Sequence, residues 1–379
     1  MSFLFSIPCL FGLEGLVGDE CRRMGLREVQ VENGRVLFSG DGLDLARANL
    51  RLRCGERVLL RLGRFPARSF EELFQGVRAL PWEDFLPKDA NFPVKGHCLN
   101  SMLHSVPDCQ KIIKKAAVER MKQAYGLSWF QETGVRYQIQ FALRDDVAEL
   151  YLDTSGAGLH KRGYRAVGND APLRETLAAA LVELARYRGK GLFCDPMCGS
   201  GTILIEAALC ALNRAPGLMR RFDAMDWAFL PEHCWQEARE EAKAREFQGE
   251  YRLWGGDRDP RSVAQARENA RKAGVDRYLS FAVQNAEAFV PGEAAGTLVT
   301  NPPYGERMSD LQGAEAAIRL LGGLRKKLPG WTFGVISPHP RFESLFGGQG
   351  AKRRKVYNGM LQCNYFLYRA SRPGRPEER

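Results

Sequence analysis

The sequence predicts an α/β protein: an α+β N-terminal region, then a parallel-sheet domain closed by an antiparallel hairpin. Three observations carry this. Helical and alternating apolar patterns mix in the first 153 residues. From Pro172 onward, helices alternate with short apolar strands. Near the end, Asn358-Gly359 separates two strand-like runs.

Residues 3–7 read as a strand, and 12–24 as a helix with Leu13, Leu16, Val17, Cys21 and Met24 on one face. Strands at 29–31 and 35–38 flank an Asn33-Gly34 turn. Asp41 and Ser69 can cap helices on either side of a strand at 58–62. Prolines at 81, 87, 93 and 107 mark 82–106 as loop-rich. Residues 108–125 form a long helix whose stripe is Cys109, Ile112, Ile113, Ala116, Ala117, Met121 and Ala124. Residues 135–141 alternate as a half-buried strand, and Arg144-Asp145-Asp146 turns into a partner at 147–152.

Residues 154–165 are glycine-rich and basic, suited to a linker that also forms part of a site. Helices follow at 173–187, 203–212 and 261–273, with strands at 191–194, 252–255, 279–283, 297–300 and 331–337. Residues 213–248, with Trp227, Trp235 and a charged helix, read as an insertion. The tail from Ser371 is polar.

The chain has 379 residues, with 55 Lys+Arg against 45 Asp+Glu and a net charge of +10. That length suits two or three domains. The positive excess is spread over both halves, so a polyanion surface must be built by folding. No apolar run reaches the ~18 residues of a membrane span, and the first residues lack the basic start of a signal peptide. Ten cysteines stand without a C-x-x-C, which points to reduced thiols and no metal. A cytoplasmic protein with no membrane association is expected.

Asp195-Pro196-Met197-Cys198-Gly199-Ser200-Gly201-Thr202 lies between a strand and a helix. A ligand at such a turn meets the carboxyl edge of a sheet and a helix N-terminus. The loop is not a Walker loop. Asp257, closing the next strand with Arg258 after it, offers a carboxylate for ribose hydroxyls, although it lies further from the glycines than in a standard Rossmann unit. Asp259 before Pro260 reads as a helix cap.

Asn301-Pro302-Pro303-Tyr304 follows another strand. An amine conjugated to a base or an amide is a poor nucleophile because its lone pair is delocalised. The Asn301 side-chain oxygen and the Pro302 carbonyl can each accept one N–H, favouring a pyramidal nitrogen. Tyr304 can stack on a flipped base. Between these motifs, Asn285 can accept an amine through its side-chain oxygen, and Ala286 can offer its backbone N–H. The loop chemistry alone leaves an adenine N6, a glutamine N5 and other conjugated amines open.

The array Ser105-Val106-Pro107-Asp108-Cys109-Gln110, Asp153-Thr154-Ser155-Gly156, Leu159-His160-Lys161-Arg162-Gly163-Tyr164-Arg165, the glycine loop and Asn301-Pro302-Pro303-Tyr304 resembles the THUMP-domain ribosomal RNA guanine-N2 methyltransferases. The resemblance runs over nearly the whole chain and lacks the second methyltransferase of the bifunctional members. It implies a ferredoxin-like region at 1–65, a THUMP domain at 66–155, a linker at 156–170 and a Rossmann-like class I methyltransferase domain at 171–379.

It also implies S-adenosylmethionine (SAM) as cofactor, held by Asp195, Pro196, Cys198, Gly199, Gly201, Thr202, Asp257, Arg258, Asn285 and Ala286. The implied substrate is 23S rRNA, as free RNA or a precursor particle, recognised at the base by Asn301, Pro302, Pro303 and Tyr304. A monomer or weak dimer is expected. Candidate RNA contacts are Lys111, Lys114, Lys115, Lys161 and the exposed-looking run Lys352, Arg353, Arg354 and Lys355. Arg162, Tyr164 and Arg165 can contact phosphate or order the site. A binding factor with a vestigial methyltransferase fold stands as the non-enzymatic alternative.

Overall fold

The computed structural model describes residues 2–165, 173–305, 308–350 and 352–370. The end of the expected linker, 166–170, and the polar tail lie outside them. The elements run β1 (Phe3–Pro8), α1 (Glu14–Arg23), β2 (Arg27–Glu32), β3 (Arg35–Gly40), α2 (Gly42–Arg51), β4 (Leu59–Pro66), α3 (Phe70–Arg78), β5 (Val94–Leu99), α4 (Val106–Tyr125), β6 (Ile139–Arg144) and β7 (Val147–Asp153). They continue as α5 (Glu175–Ala185), β8 (Leu192–Asp195), α6 (Thr202–Ala211), α7 (Glu232–Ala244), β9 (Leu253–Asp257), α8 (Pro260–Lys272), β10 (Leu279–Val283), β11 (Gly296–Thr300), α9 (Met308–Lys327), β12 (Trp331–Ser337), α10 (Phe342–Phe346), β13 (Lys352–Asn358) and β14 (Leu361–Tyr368). No helix among the described residues is long and apolar enough to cross a membrane.

Two compact units form. The first comprises Met1–Pro8, Gly18–Leu159 and Arg221–Glu241. Its sheet has the order β2-β3-β1-β4-β7-β6-β5. Asp41 caps α2 with a full capping box, and Ser69 caps α3. The α4 stripe is buried at Cys109, Ile113, Ala116, Ala117 and Met121.

Two expectations change in this unit. The loop-rich stretch contains β5, paired parallel to β6. Its alternation is carried by Lys95 and His97 facing out, so it lacks an apolar signature. Gly96 lets it approach: a Cβ there would meet the Phe141 carbonyl oxygen at 2.2 Å. The insertion is also placed differently, since residues 221–241 fold into the first unit. Trp227 stacks on Tyr137 at 5.0 Å and donates from Nε1 to the Arg136 carbonyl at 2.9 Å.

The second unit comprises Cys9–Val17, His160–Arg220 and Ala242–Arg379. Its sheet order is β10-β9-β8-β11-β12-β14-β13. The first five strands are parallel, and β14 runs antiparallel between β12 and β13. The parallel sheet and terminal hairpin expected from the sequence are therefore present. On one face, Leu298, Phe333, Val335 and Phe366 pack with Ile318 and Leu321 of α9 and Phe342 of α10. Each such fully buried side chain contributes roughly 1.5–3 kcal/mol.

The sequence reading had no element over α9 because Gly313, Gly322 and Gly323 interrupt it. Gly322 has a packing reason. A Cβ there would meet the Phe346 carbonyl oxygen at 2.1 Å, so only glycine lets α10 come so close.

Candidate active site

In the second sheet, β8 lies between β9 and β11. The chain winds outward from β8 in both directions, so the crevice at the carboxyl ends of β8 and β11 is the topological switch point. The glycine loop leaves β8 there, and Asn301 follows β11 at the same edge.

The glycine loop is pinned by hydrogen bonds. Cys198 donates its backbone N–H to the Gly256 carbonyl at 2.9 Å. Gly199 donates to Asp257 Oδ2 at 2.9 Å. Asn269 of α8, itself buried, donates from Nδ2 to the Ser200 carbonyl at 3.0 Å. Gly201 takes a φ of +80° to start α6, and a Cβ there would lie 3.0 Å from Ala266. Gly199 has a φ of +50°, and among the described residues a Cβ there would meet nothing within 4 Å, which leaves room for a ligand above this glycine.

Pro196, Cys198, Gly201 and Thr202 are buried. Asp257 accepts from Gly199 and, through Oδ1, from the Asp259 backbone at 2.9 Å. A carboxylate has about four lone-pair sites, so capacity remains for ribose hydroxyls. Asp259 caps α8 as expected, and Arg258 is exposed at the same strand end.

Asp195 joins the two loops. It ends β8 and is 1% exposed. Its Oδ1 accepts from Thr300 Oγ1 at 2.6 Å and from the Met197 backbone at 3.1 Å. Burial pushes its carboxyl up to about 7, partly opposed by these donors and reinforced by the nearby Asp257 charge. Thr300 is fully buried and immediately precedes Asn301.

Asn301 Oδ1 is buried and has no hydrogen-bond partner among the described residues. A buried amide oxygen left unpaired costs about 1–3 kcal/mol, which a bound N–H donor would relieve. Pro302 is buried and Pro303 exposed. The half-buried Tyr304 ring sits by the terminal hairpin, with its hydroxyl accepting from Asn358 Nδ2 at 3.4 Å.

Some candidate residues have other roles. Asn285 is exposed, and its Oδ1 accepts from the Glu287 backbone at 3.2 Å, capping the turn that starts at buried Ala286. The oxygen expected to receive an amine therefore holds the local backbone. Arg162 and Tyr164 are 2% and 1% exposed, which removes both as surface contacts to RNA. Arg162 pairs with Glu206 of α6 at 3.4 Å, and the Tyr164 hydroxyl donates to the same carboxylate at 3.2 Å. Arg165 pairs with Glu175 at 3.4 Å and donates to Thr202 Oγ1 and to the Leu173 carbonyl. This segment orders the start of α6.

Lys114 is also corrected: it pairs with Glu132, donates to the Phe92 carbonyl at 2.9 Å and lies 3.6 Å from the Phe92 ring centre. Lys111, Lys115, Lys161, Lys352, Arg353, Arg354 and Lys355 are exposed.

The sequence reading missed Thr300, Asn269, Glu206 and Glu175. Three of them are polar residues inside an apolar pattern: Thr300 closes a buried strand, Glu206 sits among the apolar residues of α6, and Asn269 lies on the buried stripe of α8 with Val263, Ala266 and Ala270. That interruption was the available signal.

Three family models match the chain: an RlmL ferredoxin-like domain over residues 5–59, a THUMP domain over 67–153 and an RMKL-like methyltransferase domain over 162–366. The chain is 40% identical over 360 residues to the YpsC protein of Bacillus subtilis, covering 94% of this chain and 93% of that protein. It is 34% identical over 381 residues to the ribosomal RNA large subunit methyltransferase K/L of Psychromonas ingrahamii. That alignment covers 98% of this chain but 51% of the relative, so the chain spans about half of that protein.

Among solved structures, SMU.472 complexed with SAH superposes with a TM-score of 0.93 at 37% identity, covering 98% of this chain and 99% of that one. A Listeria monocytogenes protein described as a predicted N6-adenine-specific DNA methylase also gives 0.93, at 42% identity and 98% and 97% coverage. With the methyltransferase model matched over more than half its length, behind ferredoxin-like and THUMP domains, the chain belongs to the RMKL-like methyltransferase family.

Proposed function

We propose that this methyltransferase uses SAM to methylate the exocyclic N2 amine of a guanosine in 23S rRNA in the cytoplasm. The observation that carries the reading is the buried Oδ1 of Asn301 at the switch point, which has no hydrogen-bond partner among the described residues. It is an acceptor waiting for an N–H in the loop whose chemistry suits an amine on a planar base. The THUMP domain and the large-subunit rRNA relative support RNA as the substrate, and the same relative supports the ribosomal target.

The site fits SAM. Gly199 leaves open space among the described residues of the loop, and Asp257 retains acceptor capacity for a ribose. The neighbour holding SAH supports the same ligand class. When bound, SAM supplies a methyl on a sulfonium, an electrophile with a neutral leaving group. The chain's work is positioning, which can supply much of a rate enhancement. Asn301 Oδ1 accepts one amine N–H and turns the nitrogen lone pair out of conjugation. Tyr304 stacks on the base, and Asp195 with Thr300 fixes the spacing between the two loops. The amine becomes far more acidic once alkylated, so its proton leaves afterwards to water.

Labelled SAM and rRNA from an unmodified strain, digested to nucleosides after reaction, test the reading. N2-methylguanosine is expected. N6-methyladenosine would favour the activity named for the Listeria neighbour, and no labelled nucleoside would favour a binding factor. Asn301→Ala should lower transfer by roughly a hundredfold or more while SAM affinity stays within about threefold. Unchanged turnover would remove Asn301 from this role.

A further inference from the structure

The terminal hairpin carries a feature that methyl transfer leaves unused. Strand β14 is antiparallel to β12, and β13 is antiparallel to β14. Two reversals bring the β13–β14 turn to the edge where β8 and β11 end. The contact between Asn358 and the Tyr304 hydroxyl places the turn beside the base-recognising loop.

The turn is tight: Asn358 pairs with Leu361, leaving Gly359 and Met360 as its two residues. Gly359 has a φ of +62°. Met360 is 99% exposed, and Leu361 beside it is 39% exposed. A single exposed apolar side chain is ordinary. This one stands at the tip of the hairpin that touches the target-base loop. The same hairpin carries the exposed run Lys352–Lys355, which selects a polyanion as the occupant.

Resting on the reading above, we infer that the hairpin tip is a wedge for the RNA stack. Met360 enters between bases next to the target nucleotide and fills the place its base leaves. Apolar side chains, methionine and leucine among them, act as wedges between base steps of duplex DNA. The spacing suits this. Met360 lies two positions beyond Asn358, at most ~7 Å of chain, or about two base spacings of ~3.4 Å.

The test compares wild type, Met360→Ala and Met360→Leu on unmodified 23S rRNA. Each acts on the folded RNA and on the same RNA cut to short single strands, where no stack must open. The readout is the ratio of kcat/KM on folded RNA to kcat/KM on fragments. Met360→Ala should lower this ratio roughly tenfold, and Met360→Leu should restore it. An unchanged ratio in Met360→Ala, or failure of leucine to restore it, would overturn the wedge. Absence of wild-type transfer to either RNA would overturn the proposed function and the wedge with it, so the two failures are distinguishable.

Discussion

Asp195 is the residue on which the two loops of the site depend. Its ordinary carboxyl value is 3.8, and burial raises it to about 7 in the folded chain. The folded state therefore keeps a proton that the unfolded state loses between those values. Stability from this group is fully present below pH ~4 and falls as pH rises to ~7, by up to about 4 kcal/mol. Asp195→Asn should remove that decline, read as the urea midpoint against pH. Parallel profiles for the two proteins would exclude Asp195 as its source. Thr300→Val tests the other partner: loss of a buried donor should cost about 1–3 kcal/mol. It should also slow methyl transfer more than it weakens SAM binding, because Asn301 is the next residue, while Thr300→Ser keeps the bond and the rate.

At the scale of an element, α6 shows how a buried helix is held in place. Its ten residues are nearly all apolar, yet Glu206 lies in their midst, fully buried. Arg162 and Tyr164 from the preceding segment satisfy it. A buried pair loses about 3–5 kcal/mol when one partner is removed, because the other charge stays behind. Arg162→Ala and Glu206→Ala should each lower stability by about that much. The double variant Arg162→Met with Glu206→Leu should lose much less. Denaturant midpoints decide it, and single variants as stable as wild type would show the pair to be inert. In sequence, Lys161-Arg162-Gly163-Tyr164-Arg165 reads as a basic contact segment. Charge alone does not distinguish a guanidinium meant for phosphate from one meant for a carboxylate 44 residues away.

For the whole molecule, the net charge of +10 must be sorted by exposure before it says anything about RNA. Arg162 and Lys114 drop out, and Arg354, though exposed, is engaged with the Gly12 carbonyl at 2.8 Å. Lys352, Arg353 and Lys355 remain exposed on β13, the outer strand of its sheet. Replacing these three by alanine should reduce the slope of log affinity for rRNA against log salt by up to about 2. An unchanged slope would leave the run as ordinary edge-strand charge that discourages strand pairing.

The parallel sheet, the terminal hairpin, the caps at Asp41, Ser69 and Asp259, and both loops of the site were legible in order along the chain. Each is encoded locally: apolar period, turn glycines, a capping side chain, a proline-locked loop. Strand β5 was not legible, because an edge strand facing water has no apolar alternation. Helix α9 was hidden by three glycines, of which Gly322 serves the close approach of a neighbour's backbone. The placement of residues 221–241 in the first unit rests on a stack between Trp227 and Tyr137, which are 90 positions apart. The Asp195–Thr300 bond, the Arg162–Glu206 pair and the buried oxygen of Asn301 likewise belong to tertiary structure. They depend on which strands become neighbours and which polar atoms lose water, and neither is written in a window of adjacent residues.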